Sequence, residues 1–506
     1  MKKISIIATI LTALTLGVTS CDMNLRPLGT LEPENAFISP SDAESFHVGF
    51  YQALLGRVGG SQIYLTELQS DLFHATTGYG NRGGNMYNWV FTVSDGDIQG
   101  RFSSPYSAIA NCNYFLENAN KVDKTTEAWA EAGAIENLNV WKGEAFFLRA
   151  FYHMQLVEKF CLDYPGNEQS YGIPYVTVYN PTSDQTLYPE RGTLQNTIEH
   201  INSDLDSAEI LLTTPGSVGS MYLTADVVKA FRARVALYTG DYQSAIRYSS
   251  SLIASGTYPL INGDATAFNN LWVNDSGQEC IMQLWSDVNN WTSNVYGYIG
   301  YNTQEKTYGP DFIPEQWVVD LYDEADLRFG QFLKDTVITM PGPAEHNVYI
   351  LFKFPGNPEL KSNPAEYNGA QKPKPFRIAE QYLILAEAYA RSGNEAEARN
   401  VLNDLRAARY PGYSDQYEER DILTEILNER TRELIGEGFR LGDLRRFKVD
   451  LRRGDAQDEA AVSFPLVNVG FHRSYTDFRF VWPIPQEEID ANPNLANQQN
   501  PGYSNN

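Results

Sequence analysis

Cysteine is scarce in this chain: 4 residues in 506, at positions 21, 112, 161 and 280. An odd, sparse internal set gives no disulfide framework, and no paired Cys/His spacing suggests zinc. Cys112 and Cys161 fall inside helical patterns and read as small core residues. Histidine is nearly as rare, with 6 in all, and His153 has no ligand-forming neighbour, so it reads as a packing residue. Basic charge is also short. The 39 Lys and Arg residues are outnumbered by 63 Asp and Glu, a formal net charge of -24. That balance argues against nucleic acid and anionic membrane surfaces, and favours neutral over polyanionic ligands. Beyond the first twenty residues there is no long apolar run, so no later stretch reads as a membrane span. No recognisable nucleophile, metal or acid–base motif is present, though with so many carboxylates this absence alone excludes little.

Aromatics, by contrast, are plentiful: 13% of residues, including 31 Tyr and 8 Trp. That exceeds the needs of a core and places some rings at the surface. The amino terminus sets the compartment. Residues 1–20 carry Lys2 and Lys3, a short apolar run and small residues at its end, the pattern of a secretory signal peptide. Val18-Thr19-Ser20-Cys21 resembles a bacterial lipobox, which implies lipidation at Cys21. Acyl chains anchor through buried methylenes at about 0.8 kcal/mol each, so such a terminus is held at a membrane. Residues 21–40, rich in Pro and Asn, read as an extended tether, and 41–506 as a single domain.

Within that domain, helical periodicity predicts helices from Ser41, around Tyr64–Phe73, over Arg101–Val122, as a pair over Glu127–Phe160, and over Thr193–Leu212. Two helix–turn–helix segments, Thr224–Leu260 and Arg377–Tyr413, share a spacing: Ala233, Gly240, Ala245 in one and Ala386, Gly393, Ala398 in the other. Small residues permit close helix crossing and glycine makes the turn, a tetratricopeptide-like logic. The expected fold is mainly α, with such helix pairs supporting an irregular, loop-rich half and few short strands. In that half QECIMQLW (Gln278–Trp285) alternates like a strand, with Trp272 and Trp285 as core, and 335–369 is loop-rich with room for a hairpin.

Two loops break the periodicity. TTGYGNRGGNMYNWVFTVS combines glycines with Tyr79, Asn81, Arg82, Tyr87 and Trp89; the other carries Trp291, Tyr296, Tyr298, Tyr301 and Tyr308 among Asn, Ser, Thr and Gly. A sugar ring has apolar C–H faces and a hydroxyl rim, so its recognition calls for flat aromatic platforms beside amides and an arginine. Tyr79, Asn81, Arg82, Tyr87, Trp89, Trp291, Tyr296 and Tyr298 are therefore the candidate ligand-binding residues. Packing of these rings beneath long loops is the competing explanation for each.

The most densely charged stretch is NERTRELIGEGFRLGDLRRFK, Asn428–Lys448. Glu425, Glu429 and Glu433 recur every four residues, and Gly436 and Gly438 end the helix. One reading makes Glu433 and Glu437 a catalytic acid pair; the other makes Arg432, Glu433, Glu437 and Arg440 part of an Arg–Glu lattice. The lattice is preferred, because glycosidic carboxylates sit on separate supports across a cleft.

This stretch, the tail FVWPIPQEEIDANPNLANQQNPGY (Phe480–Tyr503) and the helix WKGEAFFLRAFYHMQLVEKF (Trp141–Phe160) together resemble the SusD/RagB family of bacterial surface nutrient-binding lipoproteins. Arg101–Val122 resembles a further family helix, with Phe102 where Trp is more usual. The resemblance implies an outer-membrane lipoprotein, exposed at the cell surface, that binds a glycan and delivers it to a SusC-like TonB-dependent transporter, without catalysis. A peptide- or protein-binding lipoprotein of the same fold is the alternative; a glycan hydrolase and a pure helical scaffold are weaker competitors. The sequence specifies no cofactor and leaves open the glycan's identity and any part for calcium.

Overall fold

Helices begin where an apolar stripe meets a side chain able to cap it. Thr193 accepts from the Asn196 amide at the start of Leu194–Leu211, Thr224 from Val227 at the start of Ala225–Thr239, and Asp241 from Ser244 at the start of Tyr242–Ala254. The computed structural model describes residues 37–292, 297–414, 420–463 and 471–503. Cys21, Tyr296 and the signal segment lie outside them. The described chain is mostly helical, with few short strands.

The repeated segments form two helix pairs, Ala225–Thr239 with Tyr242–Ala254 and Ile378–Arg391 with Glu395–Arg409. Gly240 and Gly393 make the turns at φ 77° and 80°, in the left-handed region that disfavours other residues. Ala233, Ala245, Ala386 and Ala398 are all fully buried. The pairs are distant in sequence yet pack on one another: Ala233, Leu237 and Ala245 share a core cluster with Ile384 and Ala388. The stack that the chain interrupts is thus restored in space.

Several boundaries differ from expectation, each for a local reason. The second helix is Ser61–Gln69, and Phe73 belongs to strand β1 (Phe73–Ala75) instead. The expected pair over 127–160 is one helix, Ala134–Phe160, preceded by turns. Only Cys280–Met282 of QECIMQLW pairs as a strand, β2. The region 335–369 does contain a hairpin: β6 (Leu333–Ile338) and β7 (His346–Leu351) pair antiparallel, with Lys334 opposite Ile350. Between β2 and this hairpin in sequence come β3 (Tyr301–Asn302), β4 (Thr307–Tyr308) and β5 (Phe312–Pro314). His153 is buried with both ring nitrogens engaged, Nδ1 with the Arg149 carbonyl at 2.8 Å and Nε2 accepting from the Val176 amide at 3.2 Å. Burial pushes its pKa down to about 3, so it stays neutral.

The charged stretch holds the two halves together. On the helix Ile422–Leu434, Glu429 and Glu433 stand one turn apart and receive guanidinium groups from elsewhere. Glu429 binds Arg328 at 2.6 Å, Arg406 at 2.8 Å and Arg432 at 2.6 Å. Glu433 binds Arg377 at 2.8 Å, Arg409 at 3.0 Å and Arg328 at 3.2 Å. Glu437 receives Lys353 at 2.6 Å and Arg377, while Arg440 forks onto Asp71 at 2.7 and 2.8 Å. Arg406 and Arg409 end the later helix pair, whereas Arg328 and Lys353 come from the irregular half. The preferred lattice is present, but its members bind partners far away in sequence more than one another. Burial raises the Glu433 carboxyl, and the guanidiniums of Arg409 and Arg377 outweigh it, holding the group well below the usual range. A proton donor at neutral pH requires the opposite shift.

The tail, Phe480–Tyr503, packs back on the first helical half. Arg191 donates to the Gln498 carbonyl at 2.7 Å and to Asn500 Oδ1 at 2.9 Å, and the Trp482 amide donates to the Lys159 carbonyl at 2.8 Å.

Candidate functional site

The aromatic loops are anchored on one strand. β1 pairs antiparallel with β5, Phe73 opposite Pro314. As the chain leaves β1, Thr76 Oγ1 donates to the Pro310 carbonyl at 2.7 Å; the Gly297 carbonyl accepts from the amides of Asp311 at 2.7 Å and Phe312 at 3.0 Å. The 76–89 loop and the 284–301 excursion therefore both depart from the start of β5.

Three of the candidate rings are core rather than surface. Trp89 is 0% exposed, packs edge-on against Phe480 at 4.7 Å, and donates from Nε1 to the Gln69 carbonyl at 2.8 Å. Its φ of 59° turns the chain inward after the short helix Gly84–Tyr87. Tyr87 is 2% exposed, its hydroxyl accepting from the Ala75 amide at 3.1 Å and its face covered by the Arg453 guanidinium at 3.9 Å. Tyr298 is 0% exposed and stacked on Phe73 with centroids 4.6 Å apart. Tyr87 and Tyr298 belong to the core cluster around β1, and Trp89 to a separate one with Leu441, Leu444 and Phe480, so none offers a face to a ligand.

The remaining described members, Tyr79, Asn81, Arg82 and Trp291, are partly or fully exposed. Tyr79 is half-buried, with its hydroxyl donating to Asn81 Oδ1 at 3.1 Å; Asn81 and Arg82 are exposed. Asn81 sits at φ 60°, a conformation its short amide tolerates. Arg82 forks onto the buried Asp311 carboxylate, with Nε to Oδ2 at 2.6 Å and a second contact from Nη2 to Oδ1. This pairing fixes the guanidinium plane at the surface, where the side chain is 48% exposed. Trp291 is half-buried, and the next residue, Thr292, bridges Gln371.

Three rings outside the core escaped the sequence reading: Trp285, Tyr222 and Tyr367. Trp285, expected in the core, is 54% exposed. It lies past the end of β2, where the alternation no longer describes a paired strand. The 218–222 turn runs beside it, with the Gln283 amide donating to the Ser220 carbonyl at 2.9 Å, and carries Tyr222, 53% exposed. Tyr367 comes from the stretch 335–369 and packs edge-on to Tyr301 at 4.8 Å and parallel to Tyr308 at 6.1 Å. Tyr301 and Tyr308 face each other across the β3–β4 pair at 4.9 Å. An arc of rings thus runs from Trp285 and Trp291, past Gln371 and Tyr367, to Tyr301, Tyr308 and the Tyr79–Arg82 loop. Its rings come from four separate chain segments, which is why composition located the two loops but missed Tyr367. Among the described residues no three His, Cys, Asp or Glu side chains converge to hold a metal ion.

Two family models match the chain: residues 332–503 match the SusD family, and residues 34–237 match the family described as starch-binding associating with outer membrane. The chain belongs to the SusD/RagB family. Two SusD-like proteins of Formosa agariphila are 23% and 24% identical to this SusD/RagB protein, each alignment covering 99% of it and 99% or 100% of the relative. A SusD superfamily protein of Bacteroides thetaiotaomicron superposes with a TM-score of 0.75 at 25% identity, covering 92% of this chain and all of that one. A putative sugar binding protein of Bacteroides vulgatus gives 0.74 at 24% identity, covering 93% of this chain and all of that one. The first family match contains the lattice and Tyr367, and the second contains the Tyr79–Arg82 loop. Trp285, Trp291, Tyr301 and Tyr308 fall between the two matched ranges.

Proposed function

We propose that this SusD/RagB protein is a lipid-anchored, surface-exposed protein of the outer membrane that captures a glycan, without cleaving it, and delivers it to a SusC-like TonB-dependent transporter. The aromatic arc is the observation that carries the reading: the exposed Trp285 and the half-buried Trp291, Tyr301, Tyr308 and Tyr367, with the Asn81 amide and the Arg82 guanidinium, match the mixed apolar and hydroxylated surface of a sugar. The family description of starch binding at the outer membrane and the likeness to the Bacteroides vulgatus sugar binding protein support the same class of ligand.

The arc makes a direct expectation for affinity. Trp291→Ala and Trp285→Ala each weaken glycan binding by on the order of 1–3 kcal/mol, the scale of one well-packed apolar side chain. Trp285→Ala does so with little change in melting temperature, because its ring is 54% exposed. Titration calorimetry against an oligosaccharide panel, alongside thermal melts, measures both. Normal affinity in both variants with lowered stability would make these rings packing residues and move the peptide-binding alternative ahead. Location is tested separately. Cys21→Ala releases the protein from the outer-membrane fraction without unfolding it, as followed by fractionation and circular dichroism. Unchanged membrane retention of a correctly processed Cys21→Ala variant would remove the lipoprotein reading.

A further inference from the structure

A net charge of -24 favours a neutral glycan, yet the charge beside the tyrosines has the opposite sign. Lys334 projects from β6, its Nζ 5.7 Å from the Tyr308 ring centroid and 5.3 Å from that of Phe352. Lys361 places its Nζ 5.2 Å from the Tyr367 centroid. The rings are continuous, with Phe352 and Tyr367 at 5.0 Å and Tyr308 and Tyr367 at 6.1 Å. Among the described residues neither lysine forms an ion pair, whereas the buried Arg328, Lys353, Lys374, Arg377 and Arg409 each do. Asp335 stands next to Lys334 but on the opposite face of β6 by strand alternation. Glu366, beside Tyr367, acts on Lys361 through its field without a salt bridge.

The position of Lys361 is built rather than incidental. A Cβ at Gly356, where φ is 95°, would stand 2.8 Å from Lys361 Cε and 2.6 Å from Asn368 Oδ1. The stem therefore lies across a backbone that only glycine leaves open. Burial lowers the Lys361 pKa and outweighs the opposing field of Glu366, so this ammonium is kept in a partly desolvated place without a salt bridge. An ammonium over a ring gains some cation–π attraction, but a desolvated cation gains more from an anion.

We propose that the Tyr301–Tyr308–Tyr367 cluster is a subsite for an anionic sugar residue, a uronate or a sulfated sugar, whose ring stacks on tyrosine while Lys334 and Lys361 bind its charge. The inference rests on the glycan-capture reading and specifies the class of glycan. The test is titration calorimetry with matched oligosaccharide pairs: oligogalacturonate and its methyl ester, and a chondroitin sulfate oligosaccharide and its desulfated form, with maltohexaose and cellohexaose as neutral members. The wild-type protein binds at least one charged member about tenfold more tightly than its uncharged twin, the effect of one charge-assisted contact. Which pair shows the difference tells carboxylate from sulfate. The preference disappears in the double variant Lys334→Gln/Lys361→Gln, survives in Lys334→Arg/Lys361→Arg, and weakens with rising ionic strength. Equal affinity for charged and uncharged twins, or an unchanged preference in a folded Gln variant, overturns the proposal and leaves glycan capture standing. Binding of no oligosaccharide in the panel overturns both.

Discussion

Glu433→Gln destabilises the protein by about 3–5 kcal/mol, the cost of breaking a buried ion pair from one side. The substitution takes one of their carboxylates from Arg377, Arg409 and Arg328, all nearly fully buried, and leaves excess positive charge shared among Glu437, Glu279, Glu429 and Asp326. Urea denaturation followed by fluorescence reads the loss, and glycan affinity of the folded fraction stays at the wild-type value. A stable variant that binds no glycan would instead put this carboxylate in the ligand site. The same lattice gives the protein an acid limit. Glu433 and Glu437 are buried, which raises them, but the surrounding arginines and Lys353 hold both below the ordinary value of 4.5. Glu387 is brought down to about 2 in the same way by Arg446, Arg430 and Arg391. Below pH about 4.5 the unfolded chain binds more protons at these groups than the native chain does. Their stabilisation is complete above that pH and is lost as pH falls through the folded values. Glu67 acts in the opposite sense: burial raises it to about 7, so its contribution declines as pH rises from 4.5 to that value. Melting temperatures recorded across the acid range in the wild-type protein fall more steeply than in Glu433→Gln, which has one depressed carboxylate fewer.

Trp89→Ala costs about 3–5 kcal/mol of stability, the range for truncating a buried aromatic to alanine. The variant opens a cavity against Phe480 and leaves the Gln69 carbonyl without its indole donor. Glycan affinity of the folded variant is unchanged, since the ring has no accessible face. Calorimetry on protein kept well below its melting temperature separates the two effects. Lost affinity at wild-type stability would return Trp89 to the ligand surface. The contrast with Trp285→Ala is instructive, because the two tryptophans exchange the roles their local sequence suggested.

That exchange has a physical cause. Trp89 sits among glycines and amides, and Trp285 ends an alternating apolar run. Local pattern therefore places the first outside and the second inside. Phe480, Phe471 and the Gln69 carbonyl decide the first case, and they come from distant parts of the chain. The second is decided by where β2 loses its partner β8 (Phe376–Arg377), which leaves Trp285 beyond the paired residues. Exposure of a loop ring is a property of what packs over it, and no local spacing encodes that.

By itself the sequence determined most of the helices, though not all their bounds, the glycine turns of the two helix pairs, the structural character of His153 and the family signature, because each depends on periodicity or on chemistry within a few residues. It also marked Tyr79, Asn81, Arg82 and Trp291 as loop residues with open surface. Only the tertiary structure decided that Tyr87, Trp89 and Tyr298 are core, that Tyr367 joins Tyr301 and Tyr308, and that Glu429 and Glu433 bind arginines from both halves of the chain. Burial, stacking and ion pairing are set by groups brought together through the fold, so they become visible only when the distant partners are in place.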